Sequence, residues 1–252
     1  MTHYIRYRSG ASTSYGILDG ETVRELRGGL FSNPTETGAV LALKDVTLLH
    51  PCEPTKILCV GLNYKSHLGG RPQPAQPEIF YKPLSALQDP GGPIVTPRDA
   101  TELHYEGELV IVIGKQVKNV SRDEAVRAIF GVTCGNDVSE RNWQHGAGKD
   151  LQWWRAKGSD TFAPFGPVIT TGIDYGTLLL TTRLNGEVVQ KQFTSDLIFD
   201  CPAIVSWISG WVTLNPGDVI YTGTPGSTRK MSPGDVLEVE IEGVGVLRNP
   251  VE

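Results

Sequence analysis

Glycine and proline recur along the whole chain as punctuation between short apolar runs, and this spacing limits the fold more than any other feature. With 29 glycines and 17 prolines in 252 residues, few stretches can hold a helix, because glycine weakens a helix interior and proline breaks it. Short runs rich in β-branched and aromatic residues between such breakers read as strands. The chain is therefore expected to be mainly β with few helices.

Three strand signals fill residues 1–50: YIRYR, SYGILDGETVREL with a turn at Asp19-Gly20, and DVTLL. They make a small strand-rich N-terminal unit, bounded by the proline and charge of PCEPTK. Residues 51–252 make a second, larger unit, which opens with the apolar strand of KILCVGLNY. SRDEAVRAIFG has the capping-box pattern Ser121-x-x-Glu124 and a closing Gly131, so it predicts a helix; a second is expected in CPAIVSWISGWV. LLLTTRLNGEVVQKQF reads as a hairpin around Asn185-Gly186, a pair that type I′ turns prefer. NPGDVIYTGTP and SPGDVLEVEIEG each open with a Pro-Gly-Asp turn and continue as strand. HLGGRPQPAQPEIFYKP is too rich in proline for a helix and reads as an exposed loop of the kind that carries function.

The net charge of −5 is spread without any lysine or arginine run, which gives neither nucleic acid nor an anionic membrane a footing. No apolar stretch approaches the roughly 18 residues of a membrane span. The start, MTHYIRYRSG, lacks the apolar core of a secretory signal, so a cytoplasmic protein is expected. Cys52, Cys59, Cys134 and Cys201 show no Cys-x-x-Cys spacing; they are expected to be reduced, buried and neither zinc ligands nor a disulfide framework.

Two acids head the apolar run HYEGELVIVIG. On a strand, residues two apart face the same way, so Glu106 and Glu108 share a face while Leu109, Ile111 and Ile113 take the other. Like charges so placed repel, and a cation between them is a natural remedy. Carboxylate oxygen is a hard ligand suited to Mg²⁺, Mn²⁺ or Ca²⁺. Asp137, in GVTCGNDVSERNWQ, is the candidate third ligand. Alone, Glu-x-Glu suits the polar face of a solvent-facing strand as well.

Six blocks in order, VGLNYKSH, YEGELVIVIG, GNDVSERNWQ, KGSDTFAPFGP, NGEVVQ and LNPGDVIYTGTP, make residues 51–252 resemble the fumarylacetoacetate hydrolase family. The branch most similar holds acylpyruvate hydrolases, oxaloacetate decarboxylases and homoprotocatechuate-pathway isomerase/decarboxylases. The resemblance implies a mixed β-sandwich roll with a divalent ion, Mg²⁺ or Mn²⁺, held by Glu106, Glu108 and Asp137; Ca²⁺ suits the same ligands in a crystal. It implies a small 2-oxo or β-diketo acid as substrate and a homodimer as the working form. A Lewis acid on the 2-oxo group stabilises the enolate that forms when a C–C bond breaks or a proton moves. Hydrolysis, decarboxylation and keto–enol or double-bond isomerisation of a hydroxymuconate-type diacid all remain open.

The same resemblance assigns Lys157 a positive charge beside the enolate and His67 the general acid/base role, for which imidazole has a suitable pKa. Gln144 and Thr224 stand at positions that bind substrate oxygens, and Arg141 is either a further substrate contact or a structural ion pair. Trp153 and Trp154 either wall a pocket or pack in the core or an interface. Two departures stand out. Hydrolytic members carry a lid glutamate three residues after the histidine, where this chain has Gly70; Glu140 replaces a residue that is often small. The competing class is a non-catalytic, metal-stabilised β-roll, against which the retention of His67, Lys157, Gln144 and Thr224 speaks.

Overall fold

Five strands occupy the first fifty residues of the computed structural model, which describes residues 1–252: β1 (Thr2–Ser9), β2 (Ser12–Asp19), β3 (Thr22–Arg27), β4 (Thr35–Ala42) and β5 (Thr47–Leu49). The turn at Asp19-Gly20 closes the β2–β3 hairpin as expected, whereas β4 has no strong alternation in sequence and was found only in the structure. Thirteen more strands follow: β6 (Ile57–Gly61), β7 (Glu78–Lys82), β8 (Leu87–Gln88), β9 (Leu103–His104), β10 (Gly107–Ile113), β11 (Ile129–Asn136), β12 (Ser139–Glu140), β13 (Ala163–Thr171), β14 (Leu179–Leu184), β15 (Glu187–Phe193), β16 (Val219–Tyr221), β17 (Val236–Ile241) and β18 (Gly245–Pro250). Helices are few and short: α1 (Arg122–Val126), α2 (Arg141–His145), α3 (Trp154–Gly158) and α4 (Cys201–Trp211). None is long and apolar enough to cross a membrane.

One large sheet runs β4-β3-β2-β1-β13-β11-β10-β16-β6-β7, and a second runs β15-β14-β17-β18. The sheet is mixed, since β16 pairs with β6 in parallel while its other long ladders are antiparallel. Strands β14, β17 and β18 pack on β10, β11 and β13, giving the mainly β sandwich roll expected from the sequence. The N-terminal strands are not a free-standing sheet: β1 pairs with β13, so residues 1–50 continue the large sheet. All seven residues of β10 are buried, because this strand lies mid-sheet with both faces covered. The four cysteines are free and buried.

Three local expectations meet their structural reason. Ser121 caps α1 with a complete capping box, but the helix ends at Val126 and not near Gly131, since Ile129 and Phe130 open the long strand β11. Asn185 and Gly186 both have positive φ, 54° and 82°, as a type I′ turn requires. The proline-rich segment stays irregular from Gly69 to Pro77 and then becomes the edge strand β7, which pairs with β6 through Gly61 and Glu78 to Ile57 and Lys82.

Candidate active site

The pairing of β10 with β11 builds the acidic cluster. Gly107 lies opposite Asn136 and Glu108 opposite Gly135, so the ladder continued by one residue sets Asp137 across from Glu106, and the Asp137 amide donates to the Glu106 carbonyl at 2.9 Å. The glycine between the two acids is required: a Cβ at Gly107 would collide with Thr182 Oγ1 of the second sheet. Glu106, Glu108 and Asp137 are only 5%, 1% and 1% exposed, which removes the reading of a solvent-facing polar strand. One ligand oxygen from each lies within 4.8 Å of the others.

Three buried acids need compensation, and part of it comes from side chains. Lys157, in α3, donates to Glu106 Oε2 at 2.8 Å and to Asp137 Oδ2 at 2.7 Å. Arg141, at the start of α2, donates to Glu106 Oε1 at 2.5 Å, to Thr228 Oγ1 at 2.9 Å and to Gln144 Oε1 at 2.7 Å. Lys82, at the end of β7, stands 2.6 Å from Asp137 Oδ1. Burial alone would raise Glu106, but Lys157 and Arg141 hold its carboxyl well below the usual range. Glu108 goes the other way: burial and the charges of Asp137 and Glu106 push it well up, against one hydrogen bond from the Gly223 amide at 2.6 Å. Burial would lower Lys157, yet Asp137 and Glu106 raise it, so it stays an ammonium ion.

The cluster also suits a divalent cation by its chemistry. Its donors are all carboxylate oxygens, the hard set that Mg²⁺, Mn²⁺ and Ca²⁺ take. Asp137 Oδ1 is buried and accepts no hydrogen bond. Lys82, though close to it, gives its three protons to the carbonyls of Val138, Lys157 and Phe162, at 3.0, 2.6 and 2.7 Å. A buried oxygen with unused lone pairs among three carboxylates suits a cation ligand.

His67 lies on a short 3₁₀ turn, Lys65–His67, with Nε2 4.0 Å from Glu106 Oε1. Its Nδ1 lies 2.5 Å from the Gly226 carbonyl. A carbonyl only accepts, so Nδ1 carries the proton and, in the neutral ring, Nε2 presents its lone pair to the cluster. Ser66 Oγ accepts from the Gly226 amide at 3.0 Å, so both sides of that peptide tie the turn down. Gly70 is open, with nothing near a Cβ built on it. Glu78, the nearest acid in the loop by sequence, lies exposed on the edge strand with no side-chain hydrogen bond or ion pair.

Thr224 is buried and its hydroxyl is engaged: it donates to the Gly107 carbonyl at 2.9 Å and accepts from Gln190 Nε2 at 2.8 Å. Gln190 also accepts from the Gly107 amide at 3.1 Å. It thus stitches the Glu-Gly-Glu segment to that of Thr224. Glu140 is buried at the N-terminus of α2, where it accepts from the amides of Thr101, Glu102 and Asn142 at 3.1, 2.6 and 2.8 Å; these bonds explain an acid where a small side chain is usual. Trp153 meets Phe80 edge-on, and the Lys157 ammonium sits 5.0 Å from the Phe80 ring centre. Trp154 is exposed and, with Tyr81, Val95 and Leu151, lines a groove of about 1190 Å³ along β7 beside the cluster. Sequence reasoning missed Lys82 and Gln190. The second lay in a recognised block, and a lone lysine in EIFYKP carries no motif.

Comparison with known proteins identifies the family. The profile described as "Fumarylacetoacetate (FAA) hydrolase C-terminal" matches residues 56–252, and one described as "Rv2993c-like, N-terminal" matches residues 2–51. Protein Rv2993c of Mycobacterium tuberculosis is 46% identical over 259 residues, covering 98% of this chain and 96% of its own. The human protein named oxaloacetate tautomerase FAHD2A, mitochondrial, is 40% identical over 226 residues, covering 84% of this chain and 71% of its own. A crystal structure described as 2-hydroxyhepta-2,4-diene-1,7-dioate isomerase from Mycobacterium marinum superposes with a TM-score of 0.92 at 44% identity, covering 100% of this chain and 98% of its own. By sequence, fold and the constellation around its three carboxylates, the chain is an enzyme of the fumarylacetoacetate hydrolase family.

Proposed function

We propose that the chain is a divalent-metal-dependent enzyme acting on a small 2-oxo diacid, moving a proton or releasing CO₂ in preference to hydrolysing a β-diketone. The observation that carries this reading is His67, whose Nε2 faces Glu106 while its Nδ1–H is spent on the Gly226 carbonyl. A cation held by Glu106, Glu108 and Asp137 would act as a Lewis acid toward the 2-oxo group, with Mg²⁺ and Mn²⁺ the ions best matched to carboxylates plus water. In the keto–enol shift His67 Nε2 takes the proton from the carbon next to the carbonyl and hands it to the substrate oxygen, and the reverse conversion runs the same transfer backward. Lys157 keeps its ammonium beside the position where negative charge develops, in a dry setting that strengthens it. Arg141 and Gln144, bonded to each other at 2.7 Å, receive the substrate's carboxylate oxygens. Thr224, its hydroxyl proton spent on the Gly107 carbonyl, orients the acidic segment and has no proton left to donate to a substrate carboxylate.

Hydrolysis of an acylpyruvate needs a water aimed at the distal carbonyl, and no lid carboxylate stands near His67 to aim it. The relatives named as a tautomerase and an isomerase support the same preference. On this reading the catalytic unit is residues 51–252, residues 1–50 extend its sheet, and the chain works in the cytoplasm as a homodimer. The test is a panel of oxaloacetate, acetylpyruvate, fumarylpyruvate and a hydroxymuconate-type diacid with Mg²⁺ present. Oxaloacetate enol–keto conversion or decarboxylation, or isomerisation of the diacid, should exceed acylpyruvate hydrolysis in kcat/KM, and Gly70→Glu should narrow the gap. Faster hydrolysis in both the wild type and Glu78→Gln would overturn the preference.

A further inference from the structure

We propose that Lys82 is a positioning residue for the cation site, holding Asp137 and the backbone on either side of the cluster in the arrangement a divalent ion needs. The proposal rests on the metal-dependent reading above. Lys82 ends the edge strand β7, yet its side chain turns inward and its ammonium group is buried. Taking an ammonium ion out of water is unfavourable unless all its protons find acceptors.

Here they do, in a particular way. The three protons go to the carbonyls of Val138, Lys157 and Phe162. Val138 follows the ligand Asp137 directly, and Lys157 is the lysine that bridges Glu106 and Asp137. Phe162 leads into β13, and its carbonyl also accepts from the Val138 amide at 3.2 Å. One nitrogen thus fastens three separate segments. The Phe162 ring lies 5.9 Å from the same nitrogen and shields it.

Lys82 and Lys157 treat Asp137 differently. Lys157 donates a proton to Oδ2, whereas Lys82 approaches Oδ1 to 2.6 Å with every proton already committed elsewhere. Oδ1 is thus held mainly by charge, with lone pairs open to an ion. A lysine placed merely to neutralise Asp137 would donate to it; one that donates to the surrounding carbonyls fixes where Asp137 sits and leaves its oxygen available to an ion. Partners behind the ligands of this kind typically tune metal affinity by about 10–100-fold.

The experiment uses full-length protein stripped of metal, with Mn²⁺ as the probe. Wild type, Lys82→Met and Lys82→Gln are titrated by calorimetry, their folding is checked by circular dichroism, and the bound Mn²⁺ is examined by electron paramagnetic resonance. The expected result is that both variants fold and bind Mn²⁺ about 10–100-fold more weakly than wild type, with an altered resonance spectrum. A purely structural lysine would lower thermal stability and leave both readouts unmoved. Unchanged or tighter Mn²⁺ binding by a folded variant overturns the proposal and leaves the metal reading standing. Loss of the fold in both variants also overturns it, because Lys82 would then serve the core at large. Absence of Mn²⁺ binding by the wild type overturns the metal reading itself, and the proposal with it.

Discussion

Within the cluster, the residues differ in how far the sequence exposes their roles. Glu106, Glu108 and Asp137 lie in two blocks about thirty positions apart in the sequence, yet strand pairing brings their oxygens within 4.8 Å. Their residue types alone point to cation binding once burial is known. Lys157 was legible through its block, and its two carboxylate partners keep it charged. Arg141, open in the sequence between substrate contact and ion pair, is ion-paired with Glu106 here and still bonded to Gln144. Lys82 was illegible because nothing local distinguishes a buried lysine at a strand end from a solvated one. His67 bears the sharpest residue-scale expectation. If its Nε2 accepts the substrate's proton, His67→Ala should lower kcat by about 10²–10⁴-fold on a true substrate. Its circular dichroism spectrum should stay that of the wild type, because the ring is partly exposed and serves no core contact. An unchanged kcat would return His67 to a bystander on the loop.

Among the elements, helix starts marked by caps and turns marked by their residues were read correctly, and boundaries set by tertiary context were not. The α4 helix has Asp200 at its N-cap, accepting from the Ala203 amide at 3.0 Å, and Pro202 in its first turn; both are sequence-level signals. Asp200 also pairs with Arg122 of α1, joining two helices that pack together. Asp200→Ala should therefore cost about 1 kcal/mol through the lost cap, a fall in Tm of about 2–4 °C for a chain of this length. The exposed pair with Arg122 adds little to that. A melting curve that does not move would contradict the capping account. By contrast, α1 stops short because Ile129 and Phe130 are claimed by the middle of the sheet, where tertiary packing overrides helix propensity. Helices α2 and α3 are single turns of five residues each, too short for a hydrophobic period to show. The α3 turn follows Trp153 in a left-handed conformation, φ 56°, which no sequence pattern announces.

Across the whole molecule, the punctuation by glycine and proline predicts a β-dominated chain, but it does not say which strands meet. That the N-terminal strands join the large sheet through β1 and β13, residues more than 160 apart such as Thr2 and Thr171, is a long-range pairing that no local signal encodes. The central place of β10 has a consequence for chemistry. Two glutamates at the head of a strand buried on both faces call for compensating charge: Lys157 and Arg141 return part of it to Glu106, and on the proposed function a divalent ion would supply the rest. The account therefore stands on the ion. Its most direct test is the rate of the best substrate of the panel with protein dialysed against EDTA and freed of chelator, before and after Mg²⁺ or Mn²⁺ is added, with Asp137→Ala run in parallel. The account predicts turnover no faster than the uncatalysed reaction without metal, recovery on addition of either ion in the wild type, and no recovery in the variant. Full activity in the metal-free wild type would contradict it.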